Sequence, residues 1–311
     1  MNAPQIPPPL PSRSAPFRLG LLGHPILLSL SPALHRAAAR LAGVTASYEC
    51  FDAPHVVAAD AVYRRLAAGE LDGLNVTTPW KTWAASRAGG YGPGKPASVN
   101  ALRRRGDGSV EGADRDGPAL LDALADAGVA LAGIHVLVIG TGGAAAAAVR
   151  ALAGTGAPER VLVTGRRPDA ARVLAGHANA AGGVAPVVPA PWGDADGVAA
   201  VDLCVHATTV GHLGAPAPRP DALAWLPWRA WAGRGTRVAD LVYARERATA
   251  VEQAAAACGC GILPGFGRAL LTAQAAYSFA WWTGHAVDRH ALARAVWDAD
   301  GAGSAPSTTN T

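Results

Sequence analysis

Short apolar runs alternate with amphipathic stretches along the first third of the chain. Residues 17–23 form an apolar run typical of a buried strand, and helical spacing follows over about 31–41. The alternation continues with a strand over 47–53, a helix over about 56–68 and a strand over 71–76. Strands separated by helices predict a parallel α/β sheet. Because ligands bind beyond the carboxyl ends of such strands, polar residues that follow a strand become candidates for a site.

Ser29 and Ser31 stand in the loop after the first strand. Ser31 precedes Pro32, and this pair predicts a helix N-cap followed by a first-turn proline. Capping accounts for Ser31 but not for Ser29, whose hydroxyl then faces the end of the strand. Thr77 and Lys81 follow the third strand in the same way. These polar side chains are therefore expected to converge at one edge of the sheet.

The stretch over 73–81, GLNVTTPWK, ends in a residue type that the chain rarely uses. Lys and Arg together number 27, and the only lysines are Lys81 and Lys95. A Lys amine can give and take protons in a suitable environment, whereas Arg stays protonated. Two interpretations of Lys81 remain open: a solvated lysine at the start of a helix after Pro79, or a proton-transfer group.

A hairpin predicted around the polar turn at 105–109 carries Asn100 in an otherwise apolar strand start. A buried amide without a partner costs about 1 to 3 kcal/mol, so Asn100 is expected to face a partner or a ligand. The hairpin leads to Asp114, Arg115 and Asp116 at the start of an amphipathic helix. An aspartate at this place is either a helix cap or a catalytic carboxylate.

The second part of the chain carries a dinucleotide-binding signature. An apolar strand over 134–139 precedes an alanine-rich helix, and the turn between them consists of Gly140, Thr141, Gly142, Gly143 and Ala144. This order fits G-x-G-x-x-A, whose glycines allow a tight turn and a close approach of the backbone to a pyrophosphate. Free N–H groups at the helix N-terminus then bind phosphate. The segment is therefore predicted to bind a dinucleotide.

The next strand, over 160–164, indicates which dinucleotide binds. NAD sites usually end this strand with an acidic residue that holds the ribose 2′-hydroxyl. Here the strand is followed by Gly165, Arg166 and Arg167. Two guanidinium groups at this position favour the 2′-phosphate of NADP. The alternative is that Arg166 and Arg167 are ordinary loop charges.

Further apolar runs extend the predicted parallel sheet, over 184–188, 201–206 and 237–242. Thr208 follows the second of these, where a nicotinamide ribose is expected. Beyond Tyr243 the pattern predicts a helix, a glycine-rich turn and a largely apolar helix in which Gln274 is the lone interior polar side chain. A final helix is predicted over 286–298.

Composition excludes several classes of protein. Half of the 311 residues are apolar and 16% are charged, which predicts a folded protein of roughly two domains. The net charge is only +4 and no basic tract is interleaved with aromatics, so nucleic acid is not an expected partner. No uninterrupted apolar run reaches the roughly 20 residues of a membrane span. The cysteines are expected to be core thiols in a reducing cytosol, without a metal site: Cys50, Cys204, Cys258 and Cys260.

Several short motifs occur together in a specific order. They are GLLGHP with SLSPALH, NVTTPWK, SVNAL, ADRDG, GTGGAAA, ATTVG, ADLVY, and a final G-x-x-LL-x-x-Q with SFAWWTG. Across residues 17–284 the chain thus resembles the shikimate dehydrogenase family, which includes quinate/shikimate dehydrogenases. The resemblance implies an α/β fold of two domains, with the substrate bound in the first and NADP bound in a Rossmann-type parallel-sheet domain.

The implied domain boundaries divide the chain into four parts. The substrate domain would comprise residues 17–115 together with helices at 268–299 that return to it. The NADP domain would comprise residues 116–267. The Pro-rich residues 1–16 lack the basic start and apolar core of a signal peptide and are expected to be a disordered leader, and residues 300–311 a disordered tail.

The resemblance also implies roles for individual residues. Lys81 and Asp116 would be the catalytic pair, with Lys81 moving a proton to or from the substrate oxygen. The substrate would be bound by Ser29, Ser31, Thr77, Asn100, Tyr243 and Gln274. NADP would be bound by Gly140, Thr141, Gly142, Gly143, Ala144, Arg166, Arg167, Leu241 and Gly267.

The implied activity is the NADP-dependent interconversion of 3-dehydroshikimate and shikimate in the cytoplasm, by a monomer or a homodimer, within aromatic amino acid biosynthesis. Quinate or an aminoshikimate-type analogue is an alternative substrate, and a non-catalytic NADP-binding sensor of the same fold is an alternative function. Arg115 stands where the family usually has a neutral residue. It either contacts a substrate carboxylate or pairs with Asp114.

Overall fold

The computed structural model describes residues 15–91, 95–211, 223–244 and 248–298. Within these residues the chain forms two β-sheets covered by helices, so the predicted α/β class with two domains is confirmed. The predicted tail, and the predicted leader apart from residues 15 and 16, lie outside the described residues. No helix of the described part is both long enough and apolar enough to cross a membrane.

The first sheet has a parallel half and an antiparallel half. Its strands are β1 (Phe17–Gly23), β2 (Ala46–Asp52), β3 (Gly73–Val76), β4 (Ala101–Arg104) and β5 (Val110–Ala113). They lie in the order β2-β1-β3-β4-β5, with β1 parallel to both of its neighbours. The predicted hairpin supplies the antiparallel β4 and β5. The helices that connect the parallel strands and follow β3 are α1 (Ser31–Ala42), α2 (Val56–Ala67) and α3 (Lys81–Arg87).

The second sheet is parallel throughout its described strands. These are β6 (His135–Ile139), β7 (Arg160–Thr164), β8 (Val187–Pro189), β9 (Leu203–His206), β10 (Arg237–Asp240) and β11 (Gly261–Ile262). Their order is β11-β10-β9-β6-β7-β8, so the direction of winding reverses between β6 and β9. Dinucleotides bind across the crevice at such a reversal point. The helices around this sheet are α5 (Gly143–Thr155), α6 (Pro168–Ala180), α7 (Trp228–Arg234) and α8 (Ala250–Ala257).

Two helices join the halves of the molecule. Helix α4 (Asp116–Asp126) leads from the first sheet to the second. Helix α9 (Phe266–Thr283) begins beside the second sheet, where Phe266 is part of the core, and ends in the core of the first sheet with Phe279 and Trp282. The Trp282 indole donates a hydrogen bond of 3.0 Å to the carbonyl of Leu102 in β4. One helix therefore contributes apolar surface to both cores.

Helix boundaries depart from the sequence prediction at two places. Ser31 is not the N-cap of α1, because Leu30 occupies that position and no side chain caps the helix. The final helix begins later than predicted, as α10 (Arg289–Ala293), because the Asp288 carboxylate caps it by accepting from Ala291 N at 2.7 Å. A π-helical turn, Arg294–Asp298, ends the described chain.

The cysteine prediction is partly wrong. Cys204 and Cys260 are buried thiols, as expected, but Cys50 and Cys258 are exposed. Cys50 lies on β2, an edge strand of the first sheet, and Cys258 caps the carboxyl end of α8. An edge strand and a helix end both present residues to solvent, which the apolar character of cysteine does not reveal.

Candidate functional site

Lys81 and Asp116 form a largely buried ion pair between the start of α3 and the start of α4. Lys81 Nζ donates to Asp116 Oδ2, and the side chains are 15% and 14% exposed. Asn100 Nδ2 donates to the other carboxylate oxygen, Asp116 Oδ1, at 2.8 Å. Lys81 does begin a helix after Pro79, but its amine is paired rather than solvated, so the surface-lysine interpretation is wrong.

The amide of Asn100 organises the surroundings of this pair. Its Oδ1 accepts from the backbone N–H of Arg115 at 2.7 Å, and its Nδ2 also donates to Gln274 Oε1 at 3.2 Å. Asn100 is 3% exposed, and the expectation that a buried amide here needs partners is confirmed. The side chain thereby ties the hairpin to the start of α4 and to the middle of α9.

The two aspartates at the start of α4 have different partners. Asp114 Oδ1 accepts from the backbone N–H groups of Asp116 and Gly117 at 3.0 and 3.1 Å, and so satisfies free donors of the first turn. Asp116 is left to pair with Lys81. Burial, reinforced by the charge of Asp116, raises the pKa of Asp114 to about 6.

Sequence reasoning missed a buried polar network beneath this pair. Asn75 in β3 is 3% exposed and accepts from the Tyr48 hydroxyl at 2.8 Å. Its Nδ2 donates to the carbonyl of Asn100 at 3.2 Å and to Ser278 Oγ at 3.1 Å. The sequence signal that could have revealed this network is Asn75 itself, the lone amide among the four positions of β3, GLNV, all of which are buried.

The predicted substrate-binding hydroxyls lie at the carboxyl ends of β1 and β3, which are adjacent strands. Ser29 Oγ accepts from the backbone N–H of Ser31 at 3.3 Å, and Ser31 is 4% exposed. A Cβ at Gly23 would overlap the methyl group of Thr77, so the two strand ends are in direct contact. Thr77 is tied to the following helix because its carbonyl accepts from Trp80 N at 2.8 Å.

The glycine turn faces both the second sheet and Lys81. Gly140 has φ +135°, which only glycine readily adopts, and a Cβ there would lie 2.7 Å from the carbonyl oxygen of Ala207. Helix α5 has no side-chain cap, so its first N–H groups are free to bind an anion. Ser98 Oγ donates to the Gly143 carbonyl at 2.8 Å, a contact between the halves of the molecule that sequence reasoning also missed.

The two predicted phosphate-binding arginines follow β7. Gly165 is buried against Thr141 of the glycine turn, because a Cβ at position 165 would be 2.8 Å from the Thr141 methyl. Arg166 and Arg167 are exposed, and neither forms an ion pair within the described residues. No acidic residue stands at the end of β7. Two unpaired guanidinium groups beside the turn suit a 2′-phosphate.

The remaining predicted cofactor residues lie beyond β10. Leu241 N donates to the carbonyl of His206 at 3.0 Å, and a Cβ at Gly267 would be 3.0 Å from the Leu241 carbonyl oxygen. Tyr243 and Gly267 line a cavity of about 230 Å³. Leu241 and Gly267 are thus in contact, and Tyr243 adjoins them.

Arg115 stacks on an indole ring instead of pairing with Asp114. Its guanidinium carbon lies 4.7 Å from the centre of the Trp281 ring, and that of Arg103 lies 4.4 Å from the same ring. Burial, together with the nearby charge of Arg103, lowers the pKa of Arg115 to about 10. Within the described residues Arg115 and Asp114 form no ion pair, so that interpretation is wrong.

The fold and the site define a class: two-domain α/β proteins in which a dinucleotide-binding sheet faces a lysine–carboxylate pair at two helix starts beside the first sheet. A family model described as the shikimate dehydrogenase substrate binding domain matches residues 21–89. The shikimate dehydrogenase (NADP(+)) of Rubrobacter xylanophilus is 34% identical over 281 residues, 89% of this chain and 94% of the relative. The chain belongs to the shikimate dehydrogenase family.

Solved structures agree with this assignment. Shikimate 5-dehydrogenase from Thermus thermophilus, in complex with NADP(H) and shikimate, superposes with a TM-score of 0.72 at 30% identity, covering 91% of this chain and 99% of that one. Quinate dehydrogenase from Corynebacterium glutamicum, in complex with NAD, has a TM-score of 0.75 at 25% identity, covering 90% and 98%.

Proposed function

We propose that this protein is an NADP-dependent oxidoreductase that interconverts 3-dehydroshikimate and shikimate, with Lys81 and Asp116 as the catalytic pair. The observation that carries the proposal is the position of that pair. Lys81 bonds to Asp116 and at the same time packs against Gly143 of the dinucleotide turn. This position beside the dinucleotide turn supports a proton-transfer role for Lys81, because hydride transfer to a carbonyl requires a proton at the carbonyl oxygen.

The residues present fit NADP. The uncapped N-terminus of α5 and the glycine turn would hold the pyrophosphate, and Arg166 and Arg167 would hold the 2′-phosphate. Leu241 and Gly267 would border the other end of the cofactor. When bound, the nicotinamide supplies or accepts the hydride. The relatives named above as NADP(+) enzymes support this preference.

Lys81 holds the proton that the reaction needs. In the direction of reduction its Nζ donates a proton to the substrate oxygen as that oxygen becomes an alcohol, and in the direction of oxidation Nζ takes the proton back. Asp116 orients the amine and is itself fixed by Asn100. A contribution of about 10²- to 10⁴-fold to the rate is typical of such proton transfer.

Substrate recognition is assigned to polar side chains around this pair. Hydroxyls and the carboxylate of the cyclohexene ring are bound by Ser29, Ser31, Thr77, Asn100, Tyr243 and Gln274. In the same proposal the substrate domain comprises residues 17–115 and 268–299, and the NADP domain comprises residues 116–267. The packing of α9 against the first core supports this division.

Initial rates with shikimate, quinate and aminoshikimate, each with NADP+ and with NAD+, test the proposal. We expect turnover to be highest with shikimate and NADP+. Lys81→Ala should lower kcat by about 10²-fold or more while NADP+ binding is retained. Lys95→Ala is the matched control, because Lys95 is the only other lysine of the sequence and its amine lies over the ring of Tyr91. Absence of turnover with all three acids contradicts the proposal.

The panel also separates the alternatives. Preference for quinate with NAD+ would place the chain with the Corynebacterium glutamicum enzyme, to which it is similar in fold. A non-catalytic sensor would bind NADP+ without turnover of any acid, and Lys81→Ala would leave its function intact. The buried Lys81–Asp116 pair favours catalysis, because a buried ion pair is weak evidence for a stabilising role.

A further inference from the structure

A fully buried histidine and aspartate connect the ends of β9 and β10. His206 Nδ1 and Asp240 Oδ1 are 2.7 Å apart, and both side chains are 0% exposed. His206 Nε2 lies 2.5 Å from Thr208 Oγ1, and Thr249 Oγ1 donates to Asp240 Oδ2 at 2.5 Å. The proposed proton transfer at Lys81 uses none of these groups.

Backbone N–H groups also bind two of these side chains. Thr208 Oγ1 accepts from Val210 N at 3.1 Å, and its own O–H remains available as a donor to His206 Nε2. His206 Nδ1–H then donates to Asp240 Oδ1, which also accepts from Val242 N at 3.0 Å. Both nitrogens of the ring and both oxygens of Asp240 are satisfied.

The network borders the crevice where the winding of the second sheet reverses. Thr208 belongs to the loop after β9, and that loop is in contact with the glycine turn through Ala207 and Gly140. On the other side, Thr249 and Glu252 form a capping box, and Glu252 Oε1 accepts from Gly265 N at 3.2 Å, two residues before Gly267. Loops that follow three strands are therefore held by one chain of buried hydrogen bonds.

We propose that His206 and Asp240 are positioning residues that hold the Thr208 loop as the wall of the crevice against the nicotinamide half of NADP. This inference rests on the proposed function, which supplies the identity of the cofactor. Thr208 is partly exposed, so its loop borders the crevice while its hydroxyl is held from behind by His206. Loosening the loop lowers affinity for the nicotinamide half and leaves the adenosine half, bound near Arg166, unaffected.

Two ligands that differ in the nicotinamide half provide the test. The dissociation constants of NADP+ and of adenosine 2′,5′-bisphosphate are measured for the wild type, Thr208→Val and Thr208→Ser. We expect Thr208→Val to weaken NADP+ about tenfold, the effect of losing a buried hydrogen bond, and to change the bisphosphate by less than about twofold. Thr208→Ser keeps the hydroxyl and should restore wild-type binding. Equal weakening of both ligands, or no weakening of NADP+, overturns the inference.

Asp240→Asn tests whether the position of the Thr208 loop depends on the bond between His206 and Asp240. Its amide nitrogen cannot accept a hydrogen bond, so the network loses one acceptor and NADP+ should again weaken about tenfold. The double variant with Thr208→Val should bind NADP+ no more weakly than Asp240→Asn alone, since both changes release the same loop. Additive effects of the two substitutions contradict the positioning role. If Asp240→Asn does not fold, the comparison of Thr208→Val with Thr208→Ser decides.

Thr236→Val is the control for a loss of stability alone. Thr236 is buried at the other end of β10, and its hydroxyl donates to the carbonyl of Val201 at 2.6 Å. This variant removes a comparable buried hydrogen bond far from the crevice, so NADP+ binding should stay within about twofold of wild type. If the wild type binds neither ligand, the proposed function itself fails; normal wild-type binding with an unchanged Thr208→Val overturns the positioning role only.

Discussion

Lys81 lies directly against Gly143, so that a Cβ at position 143 would stand 2.8 Å from Lys81 Cβ and 3.1 Å from Lys81 Cδ. The third glycine of the dinucleotide turn is therefore needed to make room for the lysine. Gly143→Ala should displace Lys81, and displacement of a reacting group by about 1 Å can cost about 10²-fold in rate. We expect kcat to fall about 10- to 100-fold, measured by steady-state kinetics with saturating shikimate and NADP+.

Gly154→Ala is the matched control for this variant, because it lies in the same helix α5 and a Cβ there meets nothing within 4 Å. Alanine in a helix interior is more favourable than glycine by about 0.5 to 1 kcal/mol, so Gly154→Ala should raise the unfolding temperature and leave kcat unchanged. Full activity in Gly143→Ala would show that Lys81 tolerates the added methyl group.

Asp114 should make the stability of the protein depend on pH. Its pKa is raised from 3.8 to about 6 in the folded state, so the folded protein binds this proton more tightly than the unfolded chain. The favourable contribution is present below about pH 4 and is lost as pH rises to about 6. Asp114→Asn keeps the acceptor for Asp116 N and Gly117 N and should increase the free energy of unfolding at pH 8, by up to about 3 kcal/mol.

Chemical denaturation at pH 4 and at pH 8 measures whether the stability gain of Asp114→Asn increases with pH. The gain of Asp114→Asn should be large at pH 8 and small at pH 4. Asp126→Asn should instead lower the free energy of unfolding at both pH values, because hydrogen bonds from Arg289 lower the pKa of Asp126 and its stabilising contribution is lost only as pH falls below about 3.8. A gain for Asp114→Asn that is the same at both pH values would contradict the assignment of its cause to ionisation.

Arg166 and Arg167 should determine the choice between NADP and NAD. Loss of a hydrogen bond to a charged group costs about 1.5 to 3 kcal/mol, which corresponds to about 10- to 100-fold in binding. Replacing both arginines with alanine should lower kcat/KM for NADP+ by that factor and change kcat/KM for NAD+ by less than about threefold. Arg172→Ala is the control, since Arg172 pairs with Asp169 on the exposed face of α6. Equal losses with both cofactors would contradict a role in this choice, and no loss with NADP+ would leave the arginines as ordinary loop charges.

The stacking of Arg115 on Trp281 predicts a small role in substrate binding. Arg115→Met keeps the aliphatic stem and removes the guanidinium, so KM for shikimate should change by less than about twofold. A direct contact with the substrate carboxylate would instead raise KM about tenfold or more. Gln274→Ala, which removes a partner of Asn100 inside the proposed site, should raise KM and provides the positive comparison.

The parts of this structure that could be predicted are those in which the hydrophobic pattern of a segment matches its burial in the folded protein. Both sheets were predicted because most of their parallel strands are compact apolar runs followed by polar residues; β2, ASYECFD, is the exception. β11, with only two residues, was missed because it is too short to show a period. The approach of Lys81 to Asp116, which are 35 residues apart, came from the family resemblance and not from spacing.

Other features depend on three-dimensional context that no local pattern encodes. Asn75 and Ser98 are polar residues in apolar surroundings, and their partners, Ser278 and Gly143, are distant in sequence. The raised pKa of Asp114 is caused by burial, which is itself a consequence of tertiary packing. The stacking of Arg115 likewise depends on Trp281, which α9 brings back to the first sheet.

The path of α9 has a consequence for the order in which the molecule assembles. Domains generally fold as units during synthesis, starting from the N-terminus. Here the first sheet emerges early, yet Phe279 and Trp282 of its core and Gln274 beside its buried amide are made only after the entire second sheet. The nascent first half is therefore left with an open apolar face while the nucleotide-binding half is translated. Completion of the proposed substrate site therefore comes late in synthesis, and a chain that stops before residue 266 lacks Gln274, Phe279 and Trp282.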